Sequence, residues 1–188
     1  MLNENLSDKN LIINTERFEK KIEKSVIISD WKTIQLLNEE SEILSPIKVD
    51  FKVEKVSNGF IANGRINTEL KLSCSRCLNE FNYNIESDFE AYYISKDFEK
   101  SLSKIEHLNS LDNTTYYDGI NIDLTERIIE AIILKVPELP LCKEDCKGLC
   151  PNCGIDLNEN PNHNCEEEYV DPRFASLLNL LKEDKDSK

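Results

Sequence analysis

The chain has 188 residues, 39% of them hydrophobic and 31% charged, which suits one folded domain with a small appendage. Its 23 Lys and Arg are outnumbered by 36 Asp and Glu, for a formal net charge of −13. That balance argues against general nucleic-acid binding, because phosphate contacts need cations. No run of about 18 apolar residues exists, so no membrane span is expected. The N-terminus lacks the basic and apolar regions of an export signal, so no signal peptide is expected there.

In chain order, the first 40 residues are rich in Asn, Glu and Lys. Phe18, Ile22 and Val26 recur every four residues, a spacing that fits one helix face or one side of a strand. Asp30 is placed to cap a short helix from Trp31 to about Glu40, with Ile34 and Leu37 inward. Ile43 to Val56 alternates Ile47, Val49, Phe51 and Val53 with charged residues, the pattern of a half-buried strand. Ser57-Asn58-Gly59 is a turn signal, so Phe60 to Leu72 should return antiparallel. Cys74-Ser75-Arg76-Cys77 then turns into a third strand, Phe81 to Ile94.

Ser95 to Asn113 is polar and reads as a loop, with His107 as a surface residue. Tyr116 to Ile122 predicts a short strand. Asp123-Leu124-Thr125-Glu126 has the form of a capping box for a helix reaching about Lys135. Leu124, Ile128, Ile129, Ile132, Ile133 and Val136 should form its buried face, and Pro137 and Pro140 end it. After the cysteine-rich stretch, Asp171-Pro172 predicts a second short helix, with Phe174, Leu177, Leu178 and Leu181 on one face. The fold class is therefore α+β. An antiparallel sheet with a packed helix spans residues 1–139, and a zinc-binding module with a short helix spans 140–188.

The seven cysteines carry the chemistry. Cys74 and Cys77 form one C-x-x-C pair, and Cys150 and Cys153 another, followed by Gly154. Cys142 and Cys146 form a C-x-x-x-C pair, and Cys165 stands alone. Such turns deliver two thiolates each to a tetrahedral zinc ion with bonds of about 2.3 Å. With His163 there are eight candidate ligands, enough for two structural zinc sites. One division is Cys74, Cys77, Cys142 and Cys146, then Cys150, Cys153, His163 and Cys165. The alternative is a single C-terminal site, with Cys74 and Cys77 left idle. The odd count argues against a disulfide framework. No helical pattern follows either C-x-x-C as a thioredoxin-like site requires. No phosphate-binding Gly-rich loop or G-x-S-x-G elbow occurs, so no catalytic residue and no small-molecule substrate are assigned. Glu166-Glu167-Glu168 reads as a solvated charge run.

Several of these segments together resemble a known family. They are Cys74-Ser75-Arg76-Cys77-Leu78, Asp123-Leu124-Thr125-Glu126, and Pro140 through Gly154 with its Cys142, Cys146, Cys150 and Cys153. Asp156-Leu157-Asn158 and Asp171-Pro172-Arg173 complete the set. Over about residues 40–182 the chain is similar to the YceD family of large ribosomal RNA subunit accumulation proteins. The resemblance implies a bacterial cytoplasmic, non-enzymatic factor supporting synthesis, processing or stability of large-subunit ribosomal RNA. The family often carries C-x-C where this chain has His163-Asn164-Cys165, so His163 enters as a substitute ligand.

Charge divides unevenly. Residues 1–80 hold 12 basic and 13 acidic side chains, and residues 81–188 hold 11 and 23. RNA contact is therefore expected, if anywhere, in the first half, at Arg65, Lys71 and Arg76. The acidic second half suits a basic ribosomal protein or assembly factor, since complementary charge steers association. Two other readings stay open: a thiol or redox protein using Cys74 and Cys77, and a zinc-stabilised interaction module without a ribosomal role.

Overall fold

The computed structural model describes residues 6–165 apart from 17, 19, 37–38, 97–112 and 118–119. Leu37, most of the polar stretch with His107, Glu166 to Glu168 and the segment expected as a second helix, with Phe174, Leu177, Leu178 and Leu181, lie outside the described residues. The Cα positions group into two compact units. One comprises residues 1–73 and 80–140, the other 74–79 and 141–188.

The first unit is mostly β-sheet with one helix among the described residues. After a 3-10 turn at Lys9–Leu11 come β1 (Ile12–Asn14), β2 (Lys21–Ile28), β3 (Thr33–Gln35) and β4 (Glu40–Glu42). The long strands follow: β5 (Ile47–Val56), β6 (Gly59–Ser73) and β7 (Glu80–Ser95). Then come β8 (Thr114–Tyr117), β9 (Asn121–Asp123) and α1 (Thr125–Lys135). The main sheet has the order β2-β5-β6-β7-β8. Its pairs are antiparallel except β7–β8, which is parallel. Two small antiparallel pairs, β1–β9 and β3–β4, complete the strands.

Strand periodicity builds the core. Ile47, Val49, Phe51 and Val53 of β5 are buried, as are Phe60, Ala62, Ile66, Leu70 and Leu72 of β6 and Ile85, Phe89, Ala91 and Tyr93 of β7. The intervening residues are mostly charged or amide side chains on the opposite face. Gly64 pairs with Phe51 on one side and Phe89 on the other. A Cβ there would come within 2.8 Å of Phe51 Cβ and of Phe89 Cε1, so two aromatic residues occupy the space a side chain would need.

The helix starts as its sequence signal implies, with Asp123 Oδ1 accepting the Thr125 N–H at 2.8 Å. Leu124, Ile128 and Ile132 are fully buried, while Leu134 is 85% exposed. Ser87 Oγ of β7 donates to Ala131 O of α1 at 3.0 Å, tying the helix to the sheet.

Three segments depart from the sequence expectations. The stretch from Trp31 to Glu40 is not a helix: Thr33–Gln35 and Glu40 enter the β3–β4 pair, with Ile34 opposite Ser41. Ile34 and Leu36 are buried around half-buried Gln35, an alternation of period two that places both inward on extended chain. The Phe18–Val26 spacing resolves as strand, since Lys21–Ile28 pairs with β5. Chain from Tyr116 to Ile122 is two strands with different partners, β8 beside β7 and β9 beside β1. No described helix is long and apolar enough to cross a membrane.

Candidate metal centres

The second unit is built on turns. Cys74-Ser75-Arg76-Cys77 closes with the Leu78 N–H on Cys74 O at 2.9 Å and the Cys74 N–H on Asn79 O at 3.0 Å. Cys150-Pro151-Asn152-Cys153 repeats that pattern, with Gly154 N–H on Cys150 O at 2.9 Å and Cys150 N–H on Ile155 O at 2.8 Å. The residue after each second cysteine is left-handed: Leu78 has φ 62° and Gly154 φ 75°. The two turns are the same structure with different sequences. Glycine adopts this conformation freely, whereas leucine bears a penalty of about 1–2 kcal/mol.

These turns bring the eight sequence-selected ligands into two groups. Cys74, Cys77, Cys142 and Cys146 form one; Cys150, Cys153, His163 and Cys165 form the other. Within each, the ligand atoms all lie within 4.8 Å of one another. In the first group Cys74 Sγ is 3.8 Å from Cys146 Sγ, and Cys77 Sγ is 3.7 Å from Cys142 Sγ. Sulfurs tetrahedrally arranged at about 2.3 Å from a zinc ion are about 3.8 Å apart. A disulfide would bring them to about 2.05 Å, and all seven cysteines are free thiols. In the second group His163 Nε2 lies 3.2 Å from Cys153 Sγ, near the tetrahedral separation of about 3.6 Å for mixed nitrogen and sulfur ligands. Both donor sets can hold a metal ion.

The electrostatics fit a cation. At Cys74 burial opposes ionisation, but the N–H groups of Cys142, Cys77 and Arg76 and the Cys77 thiol outweigh it and bring the thiol down to about 6. Cys150 is drawn down to about 6 by the N–H groups of Cys153 and Asn152, against burial, with help from Cys153 and His163. Cys142 moves the other way, pushed up to about 12 by burial and by the thiols of Cys77, Cys74 and Cys146. The first thiolate in a cluster suppresses the next, and a divalent ion relieves that conflict.

A polar network supports the first group from the chain beyond the second C-x-x-C. Asn158 Nδ2 donates to Cys146 Sγ at 3.4 Å, and Asn158 Oδ1 accepts the Lys147 N–H at 2.9 Å. Asp156 Oδ1 accepts the Asn158 N–H, and Asp156 Oδ2 accepts Asn79 Nδ2, each at 2.8 Å. The Asn158 backbone and side-chain amides and the Asn79 amide hold the Asp156 carboxyl below its ordinary range. Sequence reasoning missed these three as supporting residues. Asp156 and Asn158 were visible only as part of a family motif, because amide chemistry has no ligand spacing to reveal it.

The candidate RNA-contact residues are already engaged. Arg65 Nε pairs with Asp88 at 3.1 Å, and Lys71 Nζ with Glu42 at 3.2 Å and Glu80 at 3.4 Å. Arg76 Nη1 donates to Cys146 O at 2.8 Å, which makes it a brace of the first group.

Comparison with known proteins gives a consistent result. The family described as Large ribosomal RNA subunit accumulation protein YceD matches residues 62–181. An uncharacterized protein of Mycobacterium tuberculosis is 31% identical over 75% of this chain and 65% of its own length. The chain thus spans less than two thirds of that relative. The uncharacterized protein YlbN of Bacillus subtilis is 30% identical over 80% of this chain and 83% of its own. A chloroplastic Arabidopsis thaliana protein named Large ribosomal RNA subunit accumulation protein YCED homolog 1 is 24% identical over 74% of this chain and 50% of its own. No solved structure matches the chain.

Proposed function

The chain belongs to the YceD family, and on that premise we propose that it is a cytoplasmic, non-enzymatic factor supporting synthesis, processing or stability of large-subunit ribosomal RNA. It acts by binding during ribosome assembly. In this reading residues 1–139 are the α+β domain and 140–188 the metal module, joined by the Cys74–Cys77 turn as a source of ligands. Each ligand group holds one zinc ion, a metal suited to sulfur-rich tetrahedral sets.

The observation that carries a structural role is that each group supplies four protein ligands, which leaves a tetrahedral ion no position for substrate. Burial of both Cys74 and Cys77, at 0% and 3% exposure, supports this over the thiol reading, because a nucleophilic thiol needs access. The charge pattern favours a basic protein partner over bare RNA. Asp88 beside Arg65, and Glu42 and Glu80 beside Lys71, offset the positive potential that phosphate would need there.

Cells lacking the protein should show a lowered ratio of large- to small-subunit ribosomal RNA. The protein should also cosediment with large-subunit precursors at low salt. An unchanged ratio, with no cosedimentation, would refute the reading.

A further inference from the structure

The main sheet ends in an uneven edge. β7 has 16 residues, but β8 covers only Tyr92 to Ser95. Among the described residues no strand pairs with the outer side of Glu80 to Ala91. The Tyr92 N–H donates to Asn113 O on that outer side. The β6–β7 register runs without a bulge from Gly59–Ile94 to Ser73–Glu80. Strand period two therefore turns the N–H and C=O of Glu90, Asp88, Glu86 and Asn84 to the same side. A long sheet edge left unpaired templates pairing with other chains.

Two surfaces flank this edge. Glu86, Asp88 and Glu90 point to the face opposite the core. Arg65 pairs with Asp88, while Glu86 and Glu90 have no ion pair among the described residues. On the core side, a groove between β7 and α1 is lined by Phe89, Ala131 and the exposed Leu134, with Arg127, Glu130 and Lys135 at its rim. Arg127 is held by Glu130 at 2.8 Å.

We propose that the outer edge of β7 over Glu80 to Ala91, unpaired among the described residues, binds an extended protein segment of alternating basic and apolar residues by strand addition. The edge supplies main-chain hydrogen bonds, as in other β-augmentation sites. Basic side chains of the segment lie beside Glu86 and Glu90; its apolar side chains lie against Leu134. A second copy is disfavoured, because antiparallel pairing of two such edges sets carboxylates opposite carboxylates. The inference rests on the assembly-factor reading above and gives its basic partner a docking site.

The test uses the full chain and a fluorescein-labelled ten-residue peptide of alternating Lys and Val, with an alternating Glu and Val peptide as control. Amide hydrogen exchange is followed at Asn84, Glu86, Asp88 and Glu90. The Lys peptide should bind and slow those amides at least tenfold, and the Glu peptide should not. The paired change Glu86→Lys and Glu90→Lys should weaken binding at least tenfold. Asn84→Pro, which removes one edge donor without a change of charge or a lost β6 ladder bond, should also weaken binding, with the fold retained by circular dichroism. The proposal is overturned if these amides are already slow in the free chain, which would mean its own residues cover the edge. It is also overturned if the peptide binds without protecting them, or does not bind. Cosedimentation separates this from the broader reading. A charge-reversed protein that still cosediments like wild type ends the edge proposal alone. A wild type that binds the peptide but never cosediments supports the edge and ends the ribosomal reading.

Discussion

Leu78, Gly148 and Gly154 all have positive φ, at 62°, 74° and 75°, yet a side chain meets different surroundings at each. At Gly154 an added Cβ has nothing within 4 Å, so Gly154→Ala imposes only the left-handed penalty, about 1 kcal/mol. At Gly148 the Cβ stands 3.0 Å from Arg76 O, the carbonyl that accepts the Leu149 N–H. Gly148→Ala must shift that contact as well and should destabilise by about 2 kcal/mol or more. Leu78 is the reverse case. Its side chain is 68% exposed, so Leu78→Gly removes the penalty while losing little burial. The extra freedom of glycine in the unfolded chain takes back about 0.5–1 kcal/mol. The net change lies between neutral and about 1.5 kcal/mol of stabilisation, less the small burial lost. Metal binding and folding share one free energy in small metal modules, so chelator competition for zinc reads these differences, about tenfold per 1.4 kcal/mol. Affinity should fall in the order Leu78→Gly, wild type, Gly154→Ala, Gly148→Ala, with the first two within tenfold. A tenfold loss in Leu78→Gly, or equal losses in the two glycine variants, would refute the backbone reasoning.

Asn158→Ala removes the N–H···S contact to Cys146 and should lower metal affinity at the first group by about tenfold while sparing the second. Cobalt absorption titrations check this, and equal loss at both groups would contradict it. Gly64→Ala drives a Cβ to 2.5 Å from Asp50 O, so the sheet should lose about 2–3 kcal/mol in urea denaturation; an unchanged midpoint would count against the packing described. In chelator-stripped, reduced protein the Cys74 and Cys150 thiols are lowered from 9.0 to about 6. The stability they contribute is complete above about pH 9 and is lost as the pH falls through about 6. The urea midpoint should therefore be higher at pH 9 than at pH 6, and the opposite order would reverse the assignment.

Local pattern made much of this protein legible. Period-two alternation located β5, β6 and β7, and the Asp123 cap located α1, because each records a face buried along its own length. The pairing of thiols on each C-x-x-C turn was legible, since that spacing fixes two on one turn, but the grouping of Cys74 and Cys77 with Cys142 and Cys146 was one of two divisions the sequence left open. What stayed hidden depends on distant partners. Thr33 to Gln35 is strand because Glu40–Glu42 lies beside it, and Tyr116 to Ile122 divides because β7 and β1 each claim one end. The N-terminal spacing of Phe18, Ile22 and Val26 fitted both periods until pairing with β5 decided it. The left-handed Leu78 was hidden for a related reason: only the hydrogen bonds it shares with the Gly154 turn reveal that the two sequences have one geometry.

The paired-site account stands most directly on the metal content of protein purified without chelator, measured by elemental mass spectrometry with parallel thiol titration. Two zinc ions per chain, with all seven cysteines slow to react until chelator is added, is the predicted result. One zinc per chain, with Cys74 and Cys77 freely titratable, would contradict it and confine the metal to the C-terminal segment.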